Sequence, residues 1–330
     1  MKKPLVGRTG ALLVAVLVIG ACSSSDDPAA SEESDTTTST EADTTSPPTT
    51  EPEPEPEPGD FPVDIDGVVI PAEPMRIVSL SPSATEILFA IGAGDQVVAV
   101  DSFSNYPAEA PTQEGLEAFT PNVEAIAAFE PDLLVTSFDP ENALATSFGA
   151  LEVPVLVQPG ALTVEDTYAQ VADLGVATGR VDEAAAVNAE IQSRIDAAVA
   201  LSSSAVDAPM RVYHELDDTF FSVSSASFIG DLYSRLGMEN IADAADPDGF
   251  GFPQLTAEYI IEADPTLIVI TDQVGYGPED VSARPGWDSI TAVQAGNIVQ
   301  LDADIGSRWG PRVADLAEQL SELSVPTATG

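Results

Sequence analysis

Residues 122–136 read NVEAIAAFEPDLLVT, and residues 256–270 read TAEYIIEADPTLIVI. In both segments a residue that can cap a helix stands two positions before a Glu. A Pro follows that Glu by seven positions, and an apolar run rich in branched residues comes next. Each segment therefore predicts a helix, a turn and a buried strand. Their separation of 134 residues is too long for a solenoid repeat and indicates one duplicated lobe.

The rest of the chain beyond residue 61 repeats this alternation of strand and helix. Ser83 and Glu86 are typical of a capping box at a helix start, and Gly92 of a helix end. The alternation predicts an α/β fold built around largely parallel sheets. Amphipathic helices are predicted at residues 83–91, 122–129, 228–236 and 257–262, and strands at residues 76–80, 97–101, 132–136, 153–157, 211–215, 266–271 and 298–301.

The middle of the chain predicts one long helix. Residues 181–202 contain no Gly or Pro and are rich in Ala, with Glu and Gln. A helix of this length reaches about 33 Å, which exceeds what is needed to cover a sheet. We therefore expect a rigid connector between two α/β halves.

Composition excludes several classes of function. The chain has 330 residues, with 55 Asp and Glu against 11 Lys and Arg, and a formal charge of −44. Nucleic-acid binding needs clustered basic side chains, so we expect no nucleic-acid partner. The single Cys22 excludes a disulfide framework, and the single His214 excludes a multi-histidine metal site. We expect neither a resident metal nor a cofactor.

The first 22 residues are typical of a secretory signal. Lys2, Lys3 and Arg8 precede an apolar run over residues 11–19, and Ile-Gly-Ala-Cys ends at Cys22. This ending resembles the lipobox of bacterial lipoproteins, in which the Cys is lipidated and becomes the new N-terminus. An ordinary signal with a chance Cys is the alternative. We expect a lipid on Cys22 that anchors the protein to the extracytoplasmic face of the cell membrane.

Residues 23–60 predict a disordered acidic linker. They contain 12 acidic residues and seven Pro, with many Ser and Thr and no Val, Leu, Ile, Met or aromatic residue. Such a segment cannot bury enough apolar surface to offset its ordering entropy. The Glu-Pro alternation at residues 51–58 is typical of an extended spacer that holds the folded part away from the membrane.

Aromatic residues are concentrated in predicted loops. Most of these loops follow strands, at the carboxyl edge where open α/β sheets bind ligands. Each ring either packs locally or lines a cleft, and the set as a whole favours a cleft. The ten loop residues are Phe103, Tyr106, Phe119, Phe138, Phe220, Phe221, Phe250, Phe252, Tyr276 and Trp309.

Enzyme motifs are lacking in the sequence. It contains no Gly-x-Ser-x-Gly elbow and no phosphate-binding loop, and Gly92-Ala-Gly94 follows a helix rather than a strand. His214 lies inside a predicted strand, where a packed residue is expected rather than a general base. Glu124 and Glu258 each fall near the second position of a helix. A carboxylate there complements the helix dipole, or the two form acidic contacts for a dimeric partner.

A family resemblance follows from several short segments taken together. Residues 76–92 read RIVSLSPSATEILFAIG and residues 102–107 read SFSNYP. Further segments in the same order are NVE at 122–124, PDL at 131–133, SFIG at 227–230, NIA at 240–242 and RWGPR at 308–312. These resemble substrate-binding proteins of ABC importers for cobalamin and ferric siderophores over nearly all of residues 75–325.

The resemblance implies two Rossmann-like α/β lobes, joined by one long rigid α-helix, with a ligand cleft between them. It implies that Glu124 and Glu258 dock on arginines of the ABC permease dimer. It also implies that the ligand is a metal chelate bound by cleft loops, and that the chain is not an enzyme. Together with the loop aromatics, the predicted ligand-binding residues are Phe103, Tyr106, Phe119, Phe138, Phe221, Phe252, Arg308 and Trp309.

The identity of the chelate stays open between cobalamin and a ferric siderophore. Cobalamin proteins carry Trp where this chain has Ala118 and Ser137, whereas the segment at 80–86 resembles the cobalamin branch. Arg284 and Arg308 would suit an anionic chelate. A haem receptor is an alternative, with Tyr106, Tyr213 or His214 as candidate axial ligands. An extracytoplasmic enzyme or structural lipoprotein of the same fold is another.

The predicted domain organisation combines these expectations. A lipoprotein signal spans residues 1–22 and a disordered linker spans 23–60. An N-terminal α/β lobe follows over residues 61–162. A helical connector at 163–208 contains the long helix 181–202, and a C-terminal α/β lobe spans 209–330.

Overall fold

The computed structural model describes residues 61–205 and 209–324, so the predicted signal, the lipidation site Cys22 and the linker lie outside the described residues. Eleven α-helices and ten strands are present in this part of the chain. The strands are β1 (Val63–Ile65), β2 (Val68–Ile70), β3 (Ile77–Leu80), β4 (Val97–Val100), β5 (Leu133–Thr136), β6 (Val155–Val157), β7 (Arg211–His214), β8 (Glu239–Asn240), β9 (Leu267–Thr271) and β10 (Ile298–Leu301).

The helices alternate with these strands. They are α1 (Pro82–Ala90), α2 (Val123–Ala127), α3 (Ala143–Gly149), α4 (Val164–Thr178), α5 (Val181–Ala205), α6 (Phe228–Arg235), α7 (Ala257–Ala263), α8 (Pro278–Ser282), α9 (Thr291–Ala295), α10 (Ala303–Ser307) and α11 (Val313–Leu323). Within residues 61–205 and 209–324, no helix is both long and apolar enough to cross a bilayer.

The two lobes are each built on a parallel four-stranded sheet. The N-terminal sheet has the order β4-β3-β5-β6 and the C-terminal sheet the order β8-β7-β9-β10. In both, the second strand along the chain lies at one edge, next to the first, followed by the third and fourth. The expected α/β fold with two similar lobes is confirmed.

The repeated sequence segments occupy equivalent places in the two sheets. Helix α2 precedes β5 and helix α7 precedes β9, and each of these strands is the third of its sheet. Asn122 and Thr256 cap the two helices, accepting hydrogen bonds from backbone N–H groups of the first turn. The predicted helix, turn and strand are confirmed in both lobes, which supports duplication of one lobe.

Helix α5 connects the hydrophobic cores of the two lobes. Ala184 near its start is buried in the core that contains β3 and β5. Ile191 and Ile195, two and three turns further on, are buried in the core that contains β7 and β9. The helix has 25 residues and therefore extends three residues beyond the predicted end. One helix packed into both cores holds the lobes at a fixed spacing.

Helix α11 lies along this connector. Arg194 of α5 donates hydrogen bonds to Asp315 (2.6 Å) and to Glu318 (2.8 and 2.6 Å) of α11. Buried Leu316 and Leu320 of α11 join the same core as Ile195. The predicted helical connector at 163–208 covers α4, whose own bounds were not predicted, whereas α11 was not predicted.

Of two local predictions at helix α1, one needs correction. The predicted capping box of Ser83 and Glu86 is wrong, because Ser81 caps α1 and Pro82 takes the first helical position. Glu86 is instead buried. The prediction for Gly92 holds, since this residue follows the helix with a φ of +77°.

A short hairpin before the first sheet was also missed. Strands β1 and β2 pair antiparallel across a two-residue turn of Asp66 and Gly67. Both turn residues have positive φ, at 51° and 86°. Asp-Gly between apolar residues is a strong hairpin signal, so the sequence did contain the information.

Candidate functional site

A cavity of about 750 Å³ lies between the carboxyl edges of the two sheets. Its walls come from loops that follow strands of both lobes, together with the start of α1. This is the edge at which open α/β sheets bind ligands, because the strands end there and the loops vary freely. The lining residues are Pro82, Ser83, Asp101, Phe103, Ala118, Phe119, Ser137, Asp272, Gln273, Asp302, Ala303, Asp304, Ser307, Arg308 and Trp309.

Three aromatic rings line this cavity. Phe103 and Phe119 belong to the N-terminal lobe and are 54% and 71% exposed, and Trp309 belongs to the C-terminal lobe. Phe138 packs on Phe119 with ring centroids 5.8 Å apart. Apolar rings left exposed in a concave site offer flat faces to a ligand.

Trp309 is held in place by contacts that cross between the lobes. Its indole Nε1–H donates to Oε1 of Gln170 (3.0 Å), and its backbone N–H donates to Oγ of Ser83 (3.2 Å). The hydroxyl of Thr167 donates to the Trp309 carbonyl (3.2 Å). The ring is therefore fixed before any ligand arrives.

Arg308 crosses from the C-terminal lobe into the N-terminal lobe. Nη1 donates to Oε1 of Glu86 (3.0 Å) and to Oδ1 of Asn105 (2.9 Å). Nη2 donates to the carbonyl of Phe103 (3.0 Å) and to Oδ1 of Asp304 (2.6 Å). These four bonds occupy every terminal N–H group of the guanidinium.

Glu86 of α1 pairs with a second arginine as well. Arg312 donates from Nε to Oε2 of Glu86 (2.9 Å) and from Nη2 to Oε1 (2.6 Å). The Glu86 side chain is 1% exposed and the two arginine side chains 9% and 14%. We call Glu86, Arg308 and Arg312 the interlobe ion cluster. It joins the lobes immediately behind the cavity.

Four carboxylates also line the cavity. Asp304 pairs with Arg308, and its Oδ2 accepts from the side-chain amide of Asn105 (2.8 Å). Asp272 accepts from the backbone N–H of Ala303 (2.9 Å). Asp302 caps α10 by accepting from Asp304 N (2.8 Å) and Ile305 N (3.3 Å).

The fourth carboxylate, Asp101, is buried. Its Oδ1 accepts from both the backbone N–H (3.0 Å) and the hydroxyl of Ser104. Its Oδ2 is buried without a hydrogen-bond partner in the described part of the chain. Burial raises the pKa of Asp101 above its usual value, although the Ser104 hydrogen bonds act in the opposite direction.

The structure does not bring all predicted ligand-binding residues together. Phe103, Phe119, Arg308 and Trp309 line the cavity, and Phe138 adjoins it through Phe119. Tyr106 lines a separate cavity of about 360 Å³, where its ring lies 4.3 Å from the Arg312 guanidinium. Phe221 and Phe252 are partly exposed in the C-terminal lobe and are not among the lining residues.

Arg284 is partly buried within the C-terminal lobe and does not line the cavity. It donates to both carboxylate oxygens of the buried Glu215 (2.6 and 2.7 Å). Three rings surround its guanidinium, those of Phe220, Tyr276 and Trp287. Phe220 and Tyr276 are therefore local packing residues, and the expectation that Arg284 suits an anionic chelate is wrong.

Two candidate haem ligands are also buried. The Tyr213 hydroxyl donates to Glu215 (2.9 Å), and Nδ1 of His214 lies 2.8 Å from the Tyr233 hydroxyl. Burial lowers the pKa of His214 to about 4, so its ring is neutral at pH 7. Neither side chain is exposed, and neither can reach a chelate in the cavity.

Glu124 and Glu258 are exposed at the second positions of α2 and α7. A helix that leads into a parallel strand begins at the carboxyl edge of the sheet. Each Glu therefore lies at the edge from which its lobe contributes to the cavity. Neither forms an ion pair within residues 61–205 and 209–324.

Sequence reasoning missed the carboxylates of the cavity, although a signal was present. Asp101 ends a predicted strand, and Asp272 and Asp302 each follow one directly, at the position that a carboxyl edge exposes. Glu86 carried no such signal. No group of three or more His, Cys, Asp or Glu in the described ranges is arranged to hold a metal ion.

Comparison with known proteins agrees with this architecture. Residues 77–305 match the family described as periplasmic binding protein. An uncharacterised ABC transporter substrate-binding lipoprotein of Bacillus subtilis is 29% identical over 335 aligned residues, covering 98% of each chain. A vitamin B12-binding protein of Yersinia pestis is 30% identical over 274 residues, covering 79% of this chain and 91% of the relative. The crystal structure of a periplasmic haem-binding protein of Vibrio cholerae superposes with a TM-score of 0.66 at 25% identity, covering 76% of this chain and 99% of that one.

Proposed function

This chain belongs to the periplasmic binding protein family, whose members are binding proteins and not enzymes, and from that premise we propose a transport function. The protein is a lipid-anchored receptor that captures a metal chelate outside the cytoplasm and delivers it to an ABC permease dimer. The chelate is cobalamin or a ferric siderophore.

The observation that carries this proposal is the interlobe cavity. Its volume of about 750 Å³ falls within the range of small-molecule sites. Phe103 and Phe119 on one side and the fixed Trp309 on the other offer flat apolar faces to a bulky ligand. Among the described lining residues, the acid and base in hydrogen-bond contact are Asp304 and Arg308, and this pair has a structural role between the lobes. The absence of a second, free acid–base pair among these residues favours binding over catalysis.

Haem is the less favoured ligand. A haem iron needs an axial side chain such as His, Tyr, Met or Cys. The Tyr213 and His214 side chains are buried in the C-terminal core, and Tyr106 lines a different cavity. The described lining residues contain none of these four residue types.

A direct binding measurement tests the proposal. Purified protein is mixed with cyanocobalamin, with a ferric hydroxamate and with haemin, and binding is followed by absorbance and by the shift in melting temperature. We expect saturable binding of one of the first two with a raised melting temperature. Failure of both to bind, or binding of haemin alone, contradicts the proposed ligand class.

Docking on the permease is assigned to Glu124 and Glu258. They are exposed, unpaired in the described residues and related by duplication, so they suit two equivalent arginines of a dimeric permease. Replacing either Glu with Ala weakens stimulation of the permease ATPase, and replacing both weakens it further, while chelate affinity stays unchanged. Normal stimulation by the double variant contradicts the docking role and leaves a helix-dipole role only.

Membrane attachment is assigned to a lipid on Cys22. We expect Cys22→Ser to be released into the medium or to remain unprocessed. Fractionation of cells with an antibody to the folded part measures this. A Ser variant that is processed and still sediments with membranes contradicts lipid anchoring.

A further inference from the structure

We infer that the interlobe cavity selects neutral or cationic chelates and rejects anionic ones. This inference rests on the proposed function and narrows its ligand class. It follows from the charges that line the cavity and from the bonds that those charges already make. It reverses the expectation from the sequence that Arg308 attracts an anionic chelate.

The only basic side chain among the described lining residues is already neutralised. Arg308 spends its four terminal N–H groups on Glu86, Asn105, Phe103 and Asp304. Glu86 and Asp304 both form ion pairs with Arg308 at hydrogen-bond distance, and the Arg308 side chain is 9% exposed. An anionic ligand would have to displace a bond that the protein makes internally, so Arg308 offers it no net attraction.

The acids of the cavity are not balanced in the same way. Asp304 is compensated by Arg308, but Asp272 and Asp302 form no ion pair in the described part of the chain. Both are exposed, and both accept only backbone N–H groups. The cavity therefore retains negative charge from two carboxylates.

Asp101 adds an independent feature that points to the same ligands. It lines the cavity with a fully buried side chain, and its Oδ2 lacks a hydrogen-bond partner within the described residues. A buried acceptor without a donor is costly, and an N–H or O–H group of a ligand would relieve that cost. A carboxylate or catecholate oxygen would increase it.

In the described part of the chain, no cation beyond the interlobe ion cluster is placed to offset these charges. Arg312 lies nearest, but both oxygens of Glu86 hold its guanidinium (2.9 and 2.6 Å), so Arg308 and Arg312 together face Glu86, Asp272, Asp302 and Asp304, and two negative charges remain. The other arginines of the described residues are not among the lining residues: Arg76, Arg180, Arg194, Arg211, Arg235 and Arg284. A cleft lined by one sign of charge focuses that field on its ligand.

The experiment compares chelates that differ in charge within one chemical class. Cyanocobalamin, which is neutral, is compared with its monocarboxylic acid derivative. Ferrioxamine B, a cation because of its free amine, is compared with its N-succinyl derivative, in which that amine is replaced by a carboxylate-bearing amide and the chelate is an anion. Affinities are measured by titration at low and at high salt. We expect the anionic member of whichever class binds to be weaker by about tenfold, and the difference to shrink at high salt.

The double variant Asp272→Asn and Asp302→Asn removes the two uncompensated charges. An Asn side chain keeps an oxygen for the backbone N–H of Ala303 and can still cap α10, so the fold is retained. We expect affinity for the anionic member to rise roughly threefold per removed carboxylate, which recovers the tenfold difference, with little change for the neutral one. The control variant Asp182→Asn with Asp196→Asn removes the same two charges from the exposed side of α5. We expect it to leave the ratio of affinities for the neutral and the anionic member unchanged.

The outcomes separate this inference from the proposed function. If a chelate binds and the anionic member of its class binds equally well or better, the charge selection is wrong and the receptor function stands. If the control variant changes the ratio of affinities for the neutral and the anionic chelate as much as the cavity variant does, the net charge of the protein and not the cavity causes the selection, and the inference is wrong. If no member of either class binds, the proposed function fails and this inference fails with it.

Discussion

Phe103 has two separate roles, one carried by its side chain and the other by its backbone. Its ring is 54% exposed in the cavity, while its carbonyl accepts a hydrogen bond from Arg308 of the other lobe (3.0 Å). Truncation of the ring therefore leaves the interlobe contact in place. This separation makes Phe103 a clean probe of ligand contact.

We expect Phe103→Ala to weaken chelate binding by about 1–2 kcal/mol with an unchanged melting temperature, because only exposed apolar area is removed. Titration calorimetry and thermal unfolding measure the two effects. Phe250→Ala is the matched control, since this ring is 82% exposed and does not line the cavity. Equal losses in both variants would show that the Phe103 ring does not contact the chelate.

His214 links stability to pH. Burial lowers its pKa from 6.5 to about 4, so the folded protein binds this proton less readily than the unfolded chain. The contribution of His214 to stability is present above pH 6.5 and is lost as the pH falls towards 4. Nδ1 contacts the Tyr233 hydroxyl at 2.8 Å, and Nε2 is buried without a partner in the described residues.

We expect the free energy of unfolding to fall by up to about 3 kcal/mol between pH 6.5 and pH 4 on account of His214. Urea unfolding at several pH values in this window measures the slope. In His214→Asn the titrating ring is absent, so the slope flattens although the variant is less stable at pH 7. An identical slope in both proteins would assign the acid sensitivity to other groups.

Helices α4 and α5 approach each other closely at Gly175. A Cβ atom built there would lie 2.4 Å from the Cβ of Ala184 on α5 and 3.1 Å from the carbonyl of Arg180. Gly is needed at this point of α4 because the two helices leave no room for a side chain. The contact holds α4, and with it the N-terminal core, against the connector.

We expect Gly175→Ala to destabilise the protein by about 1–3 kcal/mol, because the extra methyl group forces the helices apart. Chemical unfolding measures the change. Gly149→Ala at the end of α3 is the control, since nothing lies within 4 Å of the added Cβ, and it is neutral or stabilising. A Gly175→Ala variant as stable as the control would mean that the two helices yield without cost.

The sequence specified most elements closely but not their ends or their roles. All seven predicted strands are present within two residues at each end, because buried parallel strands are continuous apolar runs with clear boundaries. Strand β8 was missed because two residues carry no periodic signal. Glu86 was assigned to a cap because its spacing from Ser83 fits one, whereas its actual partners are more than 200 residues away.

At the scale of the molecule, the interlobe ion cluster joins the lobes without continuous backbone. Glu86 is on α1, and Arg308 and Arg312 follow the last strand of the other lobe. Desolvating three charges is costly, and the mutual bonds offset that cost only while all three are present. Loss of one member leaves buried charges uncompensated.

We expect Glu86→Gln to lower the free energy of unfolding by about 3 kcal/mol, because two buried guanidinium groups lose their shared counter-charge. Hydrogen exchange in residues 101–105 rises as well, since Arg308 holds this loop. Glu165→Gln removes an exposed partner of Arg235 and is the control, with a loss of at most about 1 kcal/mol. Similar losses in both variants would contradict the structural role of the cluster.

We also expect the lobes to move little when a chelate binds. Helix α5 is packed into both cores, and Arg194 pairs it with α11. The interlobe ion cluster provides a second contact between the lobes. Small-angle scattering curves with and without cyanocobalamin or a ferric hydroxamate, whichever binds, should nearly coincide. A lobe closure of many degrees would contradict a rigid connector.

The sequence by itself determined the α/β class, the two similar lobes and the connecting helix. These depend on apolar periodicity, helix propensity and capping, all of which act over a few residues. It also placed Phe103, Phe119 and Trp309 on loops after strands, which is where the cavity forms.

Only the tertiary structure decided what the charged residues do. Arg308, Arg284 and Glu86 each form an ion pair with a residue distant in sequence. Once a charged side chain is buried and paired, it no longer attracts a ligand of opposite charge. An arginine that would suit an anion as a free side chain becomes neutral towards ligands once two carboxylates hold it. Pairing over such distances is set by how the two lobes pack, and no local pattern of residues encodes it.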